Sequence, residues 1–189
     1  MTGTPGPAVD GRVGALLFTD LVGFTEYTDT EGDVAALEVL EAQTRMMSGI
    51  TDARPDARIV KELGDGLMVW FEAPSDAFEG ALAMLLAVEA ARRADTFPVA
   101  IRMGLHAGEV LSRGGDFIGA TVNIAARIAA LAGPDELLAS EVTVDACGDR
   151  PPSARLDPVG PAPVKGVSTP VWLVRVSPDR KASGTGPRH

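Results

Sequence analysis

The chain has 189 residues, 46% of them apolar, the size of one domain with enough apolar material for a packed core. Its 17 basic and 26 acidic residues leave a net charge of −9, so its field repels phosphate backbones and anionic lipid, which argues against general nucleic-acid binding. The single cysteine, Cys147, cannot close an internal disulfide and has no metal-ligand spacing around it; it reads as a small buried hydrophobe.

The longest apolar run, residues 81–88, falls far short of the roughly 20 residues that a membrane span needs. Residues 1–12 are rich in Gly, Pro and Thr and lack the basic and apolar parts of a signal peptide. The expected organisation is a flexible segment over 1–12, one domain over 13–176 and a solvated tail over 177–189, with no membrane insertion and a cytoplasmic address.

In chain order, residues 13–19 (VGALLFT) form a short apolar run typical of a buried strand, broken at its carboxyl end by Asp20. The segment from Leu21 to Thr25 then reads as a strand-to-helix turn, whose free amides attract phosphate. Residues 31–49 carry Val34, Leu37, Leu40 or Ala42, and Met46 or Met47 at helical spacing. Residues 58–63 and 67–71 are two short strands joined by Gly64-Asp65-Gly66, a hairpin turn. Ser75 and Asp76 offer caps to a second amphipathic helix that runs to Arg93. Residues 99–106 read as a strand, and Gly108, Gly114 and Gly115 as a loop or hairpin arm ending at Asp116. Residues 121–131 form an Ala-rich helix stopped by Gly133-Pro134. Residues 136–139 and 171–176 are late strands, separated by a proline-rich connection read as loop. This order fits an α+β sandwich, ferredoxin-like at its centre, with a mainly antiparallel sheet and helices packed on one face. The other face would be left partly open, a natural place for a second subunit.

Asp20 and Asp65 each sit at a strand end, and two convergent carboxylates without His or Cys suit a hard cation such as magnesium rather than zinc. Taken singly, Asp20 reads as a helix cap and Asp65 as a turn residue. Asn123 and Arg127, four apart, project from one helix face, where an arginine fork suits a charge-developing phosphate and an asparagine suits a hydroxyl. A solvated helix face explains their spacing equally well. A base recognised through its ring nitrogen and amino group needs one donor and one acceptor, which Lys61 and Asp116 supply, although spacing alone does not establish that pairing. His106 lies in an apolar strand pattern and reads as structural rather than as a general base.

The segments LFTDLVGFTEYT, VKELGDGLMVWF, IRMGLHAGEV, GGDFIGATVNIAARI and VKGVSTPVWLV, in that order, resemble the catalytic domain of the class III nucleotidyl cyclases. The resemblance implies that Asp20 and Asp65 bind two divalent cations, Mg2+ or Mn2+, with the Leu21 carbonyl as a further ligand. It implies that the Phe24 and Thr25 amides and Lys165 lie near the triphosphate. It places Lys61 and Asp116 where the family selects adenine, so ATP is the expected substrate. Asn123 and Arg127 match the pair that orients the ribose and stabilises the transition state. The family also divides these residues between two subunits, which implies a homodimer with two active sites. Three other readings compete: a guanylate cyclase, a nucleotide-binding dimerisation module without turnover, and a structural interaction domain, since such sandwiches host many functions.

Overall fold

The computed structural model describes residues 10–148, 154–164 and 167–179. Its centre is a long antiparallel pair, β1 (Asp10–Val22) and β4 (Ala100–Arg113), in register from Asp10 opposite Ser112 to Val22 opposite Ala100. On one side of this pair lies the hairpin β2 (Ala57–Leu63) and β3 (Gly66–Phe71); on the other lie β6 (Glu136–Ser140), β8 (Val171–Pro178) and β7 (Ala154–Ala162). The order is β2-β3-β1-β4-β6-β8-β7, with β5 (Asp116–Ile118) paired to β4, and only the β4–β6 pairing is parallel.

Alternation along β1 sorts its side chains into two cores. Ala15, Leu17 and Leu21 pack with Val39 and Met47 of α2 (Asp33–Asp52) and with Phe78, Leu82 and Leu85 of α3 (Pro74–Arg93). Leu16 and Phe18 face the other way and join Met68, Trp70, Val110 and Phe117 beneath Ala125 and Ala129 of α4 (Ala120–Leu131). The expected α+β sandwich is therefore present, with one correction. The helices are not confined to one face, because α4 covers part of the second.

Two alternate glycines of β4 let α4 lie so close. A Cβ on Gly104 would come within 2.1 Å of the Ala129 nitrogen, and one on Gly108 within 2.7 Å of the Thr121 hydroxyl. Gly108 thus belongs to the strand rather than to a loop; its small size is used in packing. His106 lies between them, 7% exposed, its Nδ1 2.7 Å from the Ser140 hydroxyl. Burial lowers its pKa to about 4, as expected for a structural histidine.

Several boundaries differ from the sequence reading. β1 starts at Asp10, so Asp10–Arg12 pair with β4 instead of belonging to a flexible segment. A helix not expected from sequence, α1 (Phe24–Glu31), occupies the segment after the strand-to-helix turn and ends at Gly32, φ +87°; the helix expected over 31–49 is α2. Its buried stripe is Ala36, Val39, Gln43 and Met47, which leaves Val34 and Leu37 exposed. Ser75 and Asp76 do not cap α3; Pro74 takes the first helical position, where its missing N–H costs nothing. The proline-rich connection contains α5 (Glu141–Ala146) and the edge strand β7, whose Pro158 and Pro161 blunt pairing with other chains. Cys147 packs partly against the α3-side core. Residues 1–9, Lys165 and the tail from 180 onward lie outside the described residues.

Candidate active site

Three local devices bring Asp65 to Asp20. Gly64 adopts φ +67°, which lets the hairpin loop turn in two residues between the paired Leu63 and Gly66. Gly66 then passes hard against β1: a Cβ there would sit 2.3 Å from the Thr19 carbonyl oxygen. The buried Thr19 hydroxyl accepts from the Leu67 backbone N–H at 3.0 Å and from Gln43 Nε2 at 2.8 Å, tying hairpin, central strand and α2 into one joint. The result is a pair of carboxyl groups in mutual contact on the α4 side of the sheet. Burial, then the Asp20 charge, hold the Asp65 carboxyl above its ordinary pKa, and Arg102 partly offsets this.

Arg102 was not anticipated from sequence. It lies opposite Asp20 in the β1–β4 register and donates from Nε to Asp20 Oδ2 at 2.6 Å. A charged residue in the otherwise apolar 99–106 run was the available signal, since a partly buried guanidinium needs an anionic partner. Two oxygen-donor carboxylates with no His or Cys fit magnesium or manganese, which keep water and phosphate oxygens as their remaining ligands. Among the described residues, no cluster of three or more His, Cys, Asp or Glu forms a closed metal cage. Leu21 follows Asp20 in the same strand, its side chain buried in the core. Phe24 and Thr25 form the first turn of α1, where amides lack intrahelical partners.

Lys61 reaches its position through a β-bulge. In unbroken pairing with β3, Lys61 would oppose Leu67 and face α2. A register shift between Ile59 and Lys61 places it opposite Met68, on the α4 side, and leaves Glu62 facing α2, where its carboxylate accepts from Thr44 at 3.3 Å. The β4–β5 hairpin, turned at Gly114 and Gly115 with φ +60° and +87°, curls over this same side. Phe117 packs on Trp70, and the neighbouring Asp116 receives Lys61 Nζ at 2.6 Å. The Lys61 hydrogen bond holds the Asp116 carboxyl below its usual pKa range.

Asn123 and Arg127 are exposed on the outer face of α4, and neither side chain has a hydrogen-bonding partner among the described residues. The helix runs antiparallel to β4, with Thr121 over Gly108 and Ala129 over Gly104. Eight helical residues at ~1.5 Å each match four strand residues at ~3.4 Å each. Because Asp20 lies level with Arg102, Arg127 and Asn123 are displaced from it by about 10 and 17 Å along the strand, on the far side of the helix. The structure therefore joins Asp20 to Asp65 and Lys61 to Asp116, and keeps Asn123 and Arg127 apart from the carboxylate pair. A cavity of about 860 Å³ lies elsewhere, at the C-terminal turn of α3, walled by the Arg92–Asp135, Arg93–Glu89 and Arg175–Glu136 ion pairs; none of the sequence-expected residues lines it.

Residues 11–175 match the adenylate and guanylate cyclase catalytic domain. The chain is 29% identical over 184 residues to a pH-sensitive adenylate cyclase of Mycobacterium tuberculosis, covering 95% of this chain and 44% of that protein. It is 38% identical over 130 residues to an adenylate cyclase of Streptomyces coelicolor, covering 69% and 32%. It thus spans less than half the length of either relative. Among solved structures, the adenylyl cyclase CyaB of P. aeruginosa superimposes with a TM-score of 0.80 at 26% identity, over 92% of this chain and 98% of that one. The guanylyl cyclase Cya2 gives 0.76 at 25%, over 91% and 94%. The matched span takes in the carboxylate pair, the bulged hairpin and α4 together, and the chain belongs to the adenylate and guanylate cyclase catalytic domain family, the class III cyclases.

Proposed function

We propose that the chain is an adenylate cyclase, converting ATP to cyclic 3′,5′-AMP and pyrophosphate at two sites shared across a homodimer. The observation that carries this reading is the contact between Asp20 and Asp65, two carboxylates pressed together beside the Arg102 guanidinium. Such an arrangement is costly by itself and is relieved by cationic charge.

Asp20 and Asp65, with the Leu21 carbonyl beside them, would hold the divalent cations, Mg2+ or Mn2+. Bound there, the cations supply acidity to the ribose 3′-hydroxyl and neutralise charge on the phosphates. The Phe24 and Thr25 amides and Lys165 receive the triphosphate oxygens, and Arg102, freed from Asp20, faces the same phosphates. Arg127 of the other subunit neutralises charge that grows on the α-phosphoryl oxygens, while Asn123 fixes the ribose so that O3′ attacks in line.

Adenine selection follows from donor and acceptor directions. Lys61 donates to the ring N1 and Asp116 accepts from the 6-amino group; guanine in the same pose presents an N–H to the lysine and a carbonyl to the carboxylate, reversing both. Incubation with ATP or GTP and Mg2+ or Mn2+, with products identified and Asp20→Ala as control, tests the reading. Cyclic AMP from ATP, absent in the control, is expected; pyrophosphate-free ATP binding, or preferential turnover of GTP, would overturn it.

A further inference from the structure

The Lys61–Asp116 pair is only as well placed as the hairpin that carries Asp116. β5 has three residues and its loop is two glycines, so backbone pairing alone holds it weakly. What fastens it lies one step along β2. Arg58 opposes Trp70 in the β2–β3 register and so shares its side of the sheet. Its guanidinium carbon lies 5.0 Å from the centre of the Phe117 ring, and its Nη1 donates to the Gly115 carbonyl at 3.2 Å. Phe117 in turn packs against Trp70, the ring centroids 4.5 Å apart and the planes tilted by 39°. One arginine therefore grips the two residues that flank Asp116, one through its ring and the other through its carbonyl.

We propose that Arg58 is a positioning residue for purine selection: it ties the β4–β5 hairpin to β2 and so fixes Asp116 against Lys61. This rests on the cyclase reading for its substrate and on the hairpin geometry for its mechanism. Arg58 need not touch nucleotide. A planar cation over a ring face, with a directed N–H to a carbonyl, orients the hairpin as well as attracting it. Lysine in its place keeps the charge and loses the fixed fork.

The test compares wild type, Arg58→Ala and Arg58→Lys for kcat and KM with ATP and with GTP, alongside amide exchange across residues 114–118 and a thermal melt. In Arg58→Ala the KM for ATP should rise about fivefold or more and the ATP-over-GTP preference should fall by a similar factor, with kcat within about twofold. Exchange at 114–118 should quicken while the central strands stay protected, and Arg58→Lys should fall between the two. Unchanged exchange at 114–118, or exchange that quickens without loss of purine preference, would overturn the proposal. A wild type that makes neither cyclic nucleotide would overturn the cyclase reading instead, and the exchange data would still decide whether Arg58 holds the hairpin.

Discussion

The Asp20–Asp65 end of the sheet and the Lys61–Asp116 edge are built from similar charged side chains, yet they are left in opposite states. At the first, like charges touch and burial raises the Asp65 pKa. At the second, opposite charges meet at 2.6 Å and the Asp116 pKa falls. The first region would be relieved by added positive charge. The second is complete already and needs only a partner that accepts its donor and acceptor directions. On the proposed function, the site would use instability to capture cations and preorganisation to discriminate a base.

The contrast predicts that substitutions in the two regions separate activity from stability differently. Replacing Asp20 by Ala, or Asp65 by Asn, should lower turnover on the order of 10³-fold or more. Asp65→Asn should nevertheless leave the cation-free melting temperature unchanged or raised, because it removes a like charge from Asp20. A marked loss of stability in that variant would show that the pair is a structural contact. Arg127→Ala should reduce kcat by about 10² to 10³-fold with little change in KM and none in melting, since the side chain is exposed and has no partner among the described residues. Lys61→Ala should cost up to about 10²-fold in kcat/KM for ATP and much less for GTP. An equal loss for both nucleotides would assign Lys61 to general binding rather than selection.

The smallest effect concerns His106, buried on β4 between Gly104 and Gly108. His106 is kept neutral by burial, with a folded pKa of about 4 against an ordinary 6.5. Between those values the unfolded chain takes up the proton first, so the stability that His106 contributes is complete above pH 6.5 and is lost as pH falls toward 4. The unfolding free energy should drop by about 2 kcal/mol between about pH 7 and 5 from this group. In His106→Asn that component should vanish, as denaturant titrations at the two pH values would show.

The sequence made the carboxylate pair legible because Asp20 interrupts an apolar strand at its end and Asp65 sits in the turn that joins two strands, and α3 and α4 because their periodicity is uninterrupted. It hid whatever depends on spatial relief. Gly108 looks like a loop residue until α4 is seen lying on it. Lys61 shows no sign of facing the α4 side, because strict alternation from Ile59 sends it the other way and only the bulge corrects it. Arg102 is an isolated charge in a strand until its register partner is known. The helix α1 was overlooked because it buries no side chain and so shows no apolar stripe, and β7 because its prolines suit an edge strand as well as a loop.

Sharing of the site between subunits can be tested by mixing. Asp65→Ala and Asn123→Ala proteins, each inactive alone, should regain activity when their subunits exchange. Random pairing at equal amounts makes half the dimers mixed, each with one intact site of two, so about a quarter of wild-type activity is expected. No recovery after exchange has been demonstrated directly would contradict a site built from the carboxylates of one chain and the α4 residues of another.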